Sequence, residues 1–326
     1  MGEARPFLLG CCCLAAAVVL GAAAHGQGYP DRAVTIVVPN PPGGATDIIA
    51  RVGADALGAR FKQPFVVENR AGGNNVVGLR TVAQAPADGY TLLAATEAAL
   101  VTLSVIEPTF PFNPATDFTP LSLMAQFQFL MLASARLPVH SVSELVAYAR
   151  ERPGQLSYGS NGAGTTANIA MELLKRRAGI DLIHVPYKSS NQVLMDLIGG
   201  QLAAQFQSYP VARPLLKDPN IRVLAVTGAQ RLDALPDVPT MAEAGFPDFQ
   251  FSSWVGMLGP ARLPPDVAAT LSAALADISR RPEVRDRIST LAFQPQTVDA
   301  PAFAAVIQDG LVRTRRVSVE AGVIGP

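Results

Sequence analysis

Beyond residue 26 the chain has no cysteine; its three, Cys11 to Cys13, sit together near the N-terminus. A segment without cysteine forms no disulfide, offers no thiolate nucleophile and holds no cysteine-ligated metal. Charge is also sparse, at 16% of residues, with 26 basic against 26 acidic and a formal net charge of zero. No basic run is visible, which argues against nucleic acid as a partner. After the N-terminal stretch, no segment is long and apolar enough to span a bilayer. Histidine is limited to His25, His140 and His184. There is no Gly-x-Ser-x-Gly elbow and no His-Glu-x-x-His, and no second ligand sits at metal spacing from His184. Neither an enzyme nor a metal or cofactor site is therefore expected.

What the chain has in quantity is apolar material, 49% of 326 residues. That length suggests about two domains. Residues 1–26 read as a cleaved secretory signal peptide. Arg5 supplies the positive end, offset by Glu3; Phe7 to Ala23 is the apolar core and Ala22 to Ala24 the small-residue cleavage site. The apolar run is too short and poorly flanked for a membrane anchor. Leu8-Leu9-Gly10-Cys11 has the look of a lipidation site but leaves almost no apolar region before the cysteine. Removing one acid and one base leaves the mature chain neutral. An exported protein without disulfides must rest on its core, which suits a packed α/β fold in a bacterial periplasm.

The chain is organised around Val34 to Asp47. Val34-Thr35-Ile36-Val37-Val38 favours a buried strand. Pro39, Pro41 and Pro42 end it. Gly43 and Gly44 allow a sharp turn and close backbone approach by a ligand. A helix follows, capped by Thr46 or Asp47, with Ile48, Ile49 and Val52 as its apolar face. Strand, glycine turn and helix start together make an anion site, because free N–H groups and the positive end of the dipole point the same way. An ordinary strand-to-helix turn remains an equal alternative at this point.

Further strands are expected at Pro64–Arg70 and Thr91–Ala95, with a helix from Val76 to Ala85 between them. Strands alternating with helices imply a parallel sheet. The loop from Thr96 then lies at the carboxyl ends of the strands, where such sheets bind ligands. Gly73-x-x-x-x-Gly78 has P-loop spacing, but Leu79-Arg80 replaces the required Lys-Ser/Thr. Pro108 to Pro120 reads as a long packed loop, and Leu121 to Ala133 as an extended run into a second domain. A capping box at Ser141–Glu144 opens a helix. Leu156 to Asn168 then repeats the first pattern: a short strand, the glycine-rich turn Ser160-Asn161-Gly162-Ala163-Gly164-Thr165-Thr166, and a helix from Ile169. Two such turns, one in each half, could grip one anion between them. A strand ends at His184–Lys188, and a helix from Val193 stops at Gly199-Gly200. Strands follow at Leu202–Phe206 and Arg222–Thr227. Leu235–Thr240 leads into a short helix ending at Gly245. Phe251–Leu258 is the return crossing, and helices from Pro265, Pro282 and Pro301 complete the chain.

Single residues are weighed against plainer roles. Thr96 and Glu97 can line the cleft, and a ligand-facing Glu97 would admit an amine, although a solvated loop acid is the plainer reading. His184 reads as packed or hydrogen-bonded, Trp254 as core, and Lys188 as surface. Arg313, Arg315 and Arg316 read as a solvated helix face.

From Pro39 to Asp47 onward the sequence resembles the Bug family, the extracytoplasmic receptors of tripartite tricarboxylate transporters. The landmarks are Tyr29-Pro30, Pro41-Pro42-Gly43-Gly44 with Asp47, Val67-Glu68-Asn69-Arg70, Asp88 to Leu93, and Asp117-Phe118. In the second half they are Tyr158-Gly159-Ser160, His184 to Lys188, Gly199-Gly200-Gln201, Leu235 to Thr240, and Trp254 with Gly256. The resemblance implies a two-domain Venus-flytrap fold of periplasmic-binding-protein type II, with two crossover strands. Domain I would be residues 27–126 and 253–326, and domain II residues 127–252. It implies capture of a small carboxylate, or an amino acid, by Asn40, Gly43, Gly44, Ala45, Thr46 and Asp47 of one loop and Ser160 to Thr166 of the other. Thr96, Glu97, Tyr187 and Gln207 would complete the site. It also implies a monomer that delivers its ligand to membrane permease subunits. Backbone N–H groups and hydroxyls do the gripping, without the bidentate arginine usual for carboxylates. Departures from the family pattern at Asn40, Asn168, Ser189, Ala203 and Gln207 are taken to cluster near the cleft and leave ligand identity open. A ligandless paralogue of the same fold and a secreted hydrolase are the competing readings.

Overall fold

The computed structural model describes residues 28–325. The expected signal peptide and its cysteines lie outside the described residues. The chain is a mixed α/β protein. The first strands and helices alternate as β1 (Val34–Val38), α1 (Ala45–Phe61), β2 (Phe65–Asn69), α2 (Val76–Ala83) and β3 (Thr91–Thr96). A π-helical turn (Ala98–Thr102) and α3 (Leu103–Ile106) follow. The middle of the chain is β4 (Phe118–Ser134), α4 (Val142–Arg150), β5 (Ser157–Ser160), α5 (Thr166–Ala178), β6 (Ile183–Pro186), α6 (Ser190–Ile198), β7 (Ala204–Ser208), α7 (Tyr209–Ala212) and β8 (Ile221–Val226). The chain ends with β9 (Ser252–Pro260), α8 (Pro265–Arg280), α9 (Pro282–Thr290), β10 (Gln294–Val298) and α10 (Ala300–Glu320).

Strand order repeats. One lobe runs β2-β1-β3-β9-β4, the other β6-β5-β7-β4-β8, and β10 adds to β4 outside the first series. In each series the first three strands are parallel and the next two pairings antiparallel. β4 serves both: Phe118 to Gln128 pair with β9, and Phe129 to Ser134 with β7 and β8. Its residues are almost wholly buried and strongly apolar, as a strand covered on both faces requires.

These directions fix where the loops go. β9 opposes both β3 and β4, so β4 runs with β1 and β3. β7 opposes β4 and runs with β5, which runs with β6. The carboxyl ends of β1 and β3 therefore point toward the second lobe, and those of β5, β6 and β7 point back. Thr96 is level with Ala125 through Val255, and Ser208 is level with Phe129. At strand rise, the step from Ala125 to Phe129 is about 13 Å, so the two sets of loops face each other across a narrow cleft.

The largest core cluster runs through both lobes and includes Ile36, Ile49, Met124, Leu174 and Phe206. A second holds Trp254, 2% exposed and edge-on to Phe303 at 5.0 Å between ring centres. Gly256 is required there, because the Phe303 ring fills the place a side chain would take.

Several expectations need correction. The N-cap of α1 is Gly44, with no side-chain cap, so neither Thr46 nor Asp47 caps it. The loop read as Pro108–Pro120 ends earlier, since Thr119 and Pro120 already belong to β4, with a bulge beside the proline. Residues after Thr96 are helical rather than loop. α5 starts at Thr166, not Ile169, because Thr165 caps it. Residues 241–245 form turns instead of a short helix, anchored where Thr240 bridges Val226. α7 and β10 were not anticipated.

Candidate ligand-binding cleft

The two glycine loops are built alike. In the first, Asn40 follows β1 and donates from Nδ2 to Asn75 Oδ1 at 2.6 Å, at the start of α2. In the second, Asn161 follows β5 and donates to Ser190 Oγ, at the start of α6. Each loop then turns through a left-handed glycine, Gly43 at φ 83° and Gly164 at φ 75°. Gly43 N–H donates to Asp47 Oδ2 at 3.0 Å, and Gly164 N–H to Asn168 Oδ1 at 2.8 Å. In both, the acceptor is the third residue of the following helix.

The helix starts differ. The Thr165 hydroxyl accepts the N–H of Asn168, so α5 caps itself. α1 has Gly44 as its N-cap and no side-chain cap, so its first-turn N–H groups are left without a side-chain oxygen from its own loop. Thr46 Oγ1 is turned away, donating to Asn40 Oδ1 at 3.0 Å.

Asp47 is a brace for this loop. It is 4% exposed and receives hydrogen bonds from Gly43, from Asn69 at 3.0 Å and from Arg51. Burial alone would raise its carboxyl, but the bonds from Arg51, Gly43 and Asn69 outweigh that and hold it below the usual carboxylate range. Asn69 also fixes the Asn40 carbonyl at 3.1 Å. Asn69 and Arg51 are site-shaping residues missed in the sequence. Arg51 was findable as the i+4 partner of Asp47 on one helix face.

The second loop rests on a buried polar stack. Ser160 is 1% exposed; its Oγ meets His184 Nε2 at 2.7 Å and Gly162 at both N and O. His184 stacks on Tyr158 at 4.8 Å, the packed, hydrogen-bonded role expected for it. Burial lowers the His184 pKa, with Lys175 adding to the effect and Glu172 opposing it. Asn168 bridges Gly164 to the Tyr158 hydroxyl, which in turn donates to Glu172. Asn168 is thus committed inside the lobe. Ala203 lies at the amino end of β7, level with the far end of β4, and so away from the cleft. Both side chains are buried, Asn168 at 5% and Ala203 at 7% exposure.

Among the remaining expected residues, Thr96 caps the turn after β3 by accepting the Ala99 N–H. Tyr187 donates to Asp196 at 2.6 Å, and burial with that carboxylate pushes its pKa up to about 12. Gln207 donates to Ser190 O at 3.2 Å and accepts from Ser208. Gly43, Asn161 and Ala163 are exposed and Gly44, Ala45, Gly162, Thr165 and Thr166 half-buried.

Glu97 is not a solvated loop acid. It is 6% exposed and pairs with Arg313 of α10 at 2.5 Å. Burial raises its pKa, and Arg313 offsets only part. Arg313 accordingly differs from Arg315 and Arg316, which stay on the solvated face. No local signal marks the pair, whose members are 216 positions apart. Glu97, Thr166 and Arg313 line a cavity of about 160 Å³ bounded by the π-helical turn, the start of α5, residues Gln250 to Ser252 and α10. Nearby, Ile106 of α3 in the first lobe packs onto Gly164 of the second, where a methyl group would otherwise sit.

Comparison with known proteins places this geometry. Residues 49–323 match the model of the tripartite tricarboxylate transporter family receptor. BugT of Bordetella pertussis is 32% identical over 295 residues, covering 90% of each chain. A Rhodopseudomonas palustris protein, Rpa4515, solved with adipate, is 34% identical with a TM-score of 0.86 over 90% of this chain and 98% of its own. MatC of the same organism, solved with malate, is 29% identical with a TM-score of 0.81, over 88% and 99% respectively.

Proposed function

Because the chain belongs to the tripartite tricarboxylate transporter receptor family, a family of solute-binding receptors, we propose that it captures a small carboxylate between its two glycine loops. The observation that carries this reading is the uncapped start of α1 opposite the self-capped start of α5. Free N–H groups at the positive end of a helix dipole favour an anion. Rpa4515 and MatC, solved with adipate and malate, support the ligand class.

We divide the chain into lobes at 27–126 with 253–326 and at 127–252. The change of partner in β4 between Gln128 and Phe129 and the start of β9 at Ser252, each within two residues of these boundaries, support the division. In this reading the protein is a periplasmic monomer, is not an enzyme, and hands its ligand to permease subunits. The buried Ser160–His184 contact fits a structural brace better than a nucleophile, since Ser160 is 1% exposed.

The test is a thermal-shift screen of protein stripped of ligand by unfolding and refolding. Dicarboxylates such as adipate and malate should raise the melting temperature, and Gly44→Leu should abolish the shift. A Gly44→Leu variant with unchanged affinity sinks the site; no shift with any carboxylate sinks the function.

A further inference from the structure

A second groove lies across the crossover strands. It holds about 730 Å³, within the roughly 300–1,000 Å³ usual for small-molecule sites. Its walls are α7 and the turn after it, the segment that follows β8, residues Gln250 to Ser252, and the stretch from the end of α9 into β10. No residue of either glycine loop lines it. Five glutamines do: Gln126, Gln128, Gln230, Gln250 and Gln294. Side chains alternate along a strand, so Gln126 and Gln128 project from the face of β4 opposite Phe127 and Phe129. Gln128 is 8% exposed, and its Oε1 has no hydrogen-bond partner among the described residues. Gly228 makes room for it, because the Gln128 amide fills the place a side chain at 228 would take. Buried polar groups are normally paired, so an amide held at the floor of a polar groove marks a place for a ligand.

We propose that this groove is a second ligand site, separate from the carboxylate cleft, for a neutral polyhydroxylated molecule such as a saccharide. An amide carries donors and an acceptor in one plane, and a hydroxyl donates and accepts at a single atom. Amides therefore match hydroxyls without calling for charge. The charged groups of the groove are already balanced. Arg231 grips Glu243 and the Pro236 carbonyl, Arg213 donates to the Thr290 carbonyl, and Asp233 on the rim is negative. Phe251, half-buried, gives an aromatic wall for the apolar face of a sugar ring. In the lobe division above, Gln126 and Gln294 come from the first lobe and Gln128, Gln230 and Gln250 from the second, so the bound molecule bridges them. The site uses different residues and different chemistry from the glycine loops, and does not depend on the carboxylate reading.

The experiment is titration calorimetry of the stripped protein with maltose, trehalose and sorbitol, each with and without saturating adipate. At least one of the three should bind, and should still bind when adipate is present. Gln128→Leu, of similar size, replaces an unpaired buried amide with an apolar group and should leave the melting temperature in place. It should weaken the bound probe by about tenfold or more. Gln294→Ala, on the exposed rim, should weaken it by about threefold. Both variants should keep adipate affinity within about twofold of wild type. No binding of any of the three probes overturns the inference, as does a probe that Gln128→Leu binds as tightly as wild type does. Mutual exclusion of the probe and adipate puts the sugar in the glycine-loop cleft and overturns it too. Binding of tetra-alanine in place of the three probes assigns the groove to a peptide and overturns the ligand class. Failure of adipate alone would sink the carboxylate reading and leave this site standing.

Discussion

Asp47 on α1 and Asn168 on α5 are the same residue of the two lobes in structural terms. Each is the third residue of the helix after the first strand of its lobe, and each accepts the N–H of the glycine four positions before it, Gly43 or Gly164. One is charged and the other neutral, yet the turn they hold is the same. Asp47→Asn should therefore keep the loop and its ligand. Asp47→Ala, which strips the Gly43 and Asn69 donors of their acceptor, should cost about 1–3 kcal/mol and abolish binding. The Asp47 carboxyl is held low in the folded protein, so its contribution is present above the ordinary carboxylate range and lost as pH falls through the lowered value. Urea midpoints at neutral and strongly acid pH should fall further in wild type than in Asp47→Asn.

The two loop glycines should respond differently to a methyl group. Gly44 has φ −80° and space around it, the nearest atom being 3.7 Å away. Gly44→Ala should keep the wild-type melting temperature and lose only affinity. Gly164 is left-handed, with Ile106 in the way. Gly164→Ala should lose about 1–2 kcal/mol from backbone strain alone and more from the clash. Adding Ile106→Ala should recover the clash and not the strain. Equal melting temperatures for the single and double variants would dismiss the contact as unimportant.

Arg313→Gln leaves the Glu97 carboxylate buried without its cation. Burial already raises that group, so the folded state favours the neutral acid. The variant's deficit should be small below the ordinary glutamate range and grow as pH rises through the raised value. Because Arg313 is half exposed, the loss at neutral pH should stay below the ~3–5 kcal/mol of a fully buried pair. Glu97→Gln added to Arg313→Gln should remove the pH dependence; its persistence would place the cause elsewhere.

His184 carries a lowered pKa among Tyr158, Ser160, Glu172 and Lys175. Its neutral form therefore supports the fold, with that support present above the ordinary histidine range and lost as pH falls through the lowered value. Wild-type stability should decline as pH falls below the ordinary histidine range, and His184→Gln should flatten that segment of the profile.

The glycine loops were legible because their constraints are local: prolines end β1, glycines demand left-handed backbone, and apolar spacing announces α1. The division of labour inside the loops was not. Which oxygen faces the helix start depends on Asn75, Asn69 and Ser190, brought in from elsewhere. Asn168 looks like a cleft residue by position and is a buried brace by contact with Tyr158. β10 is short and rich in Gln and Pro, and is a strand only because β4 offers it an edge. Glu97 reads as solvated until α10 folds over it.

The late position of β9 has a consequence for how the molecule assembles. The β3 edge on the β4 side is closed by residues Ser252 to Pro260, which leave the ribosome long after β1, β2 and β3. Until then the first lobe has an open apolar edge, the kind that pairs with other chains. The second lobe consists of the second half of β4 and the segments between β4 and β9, and can organise sooner. Closure of the first sheet waits on contacts of long sequence separation, which form slowly, so a nascent chain is open to self-association from the emergence of β3 until that of β9, and a holdase that covers β3 would shield it.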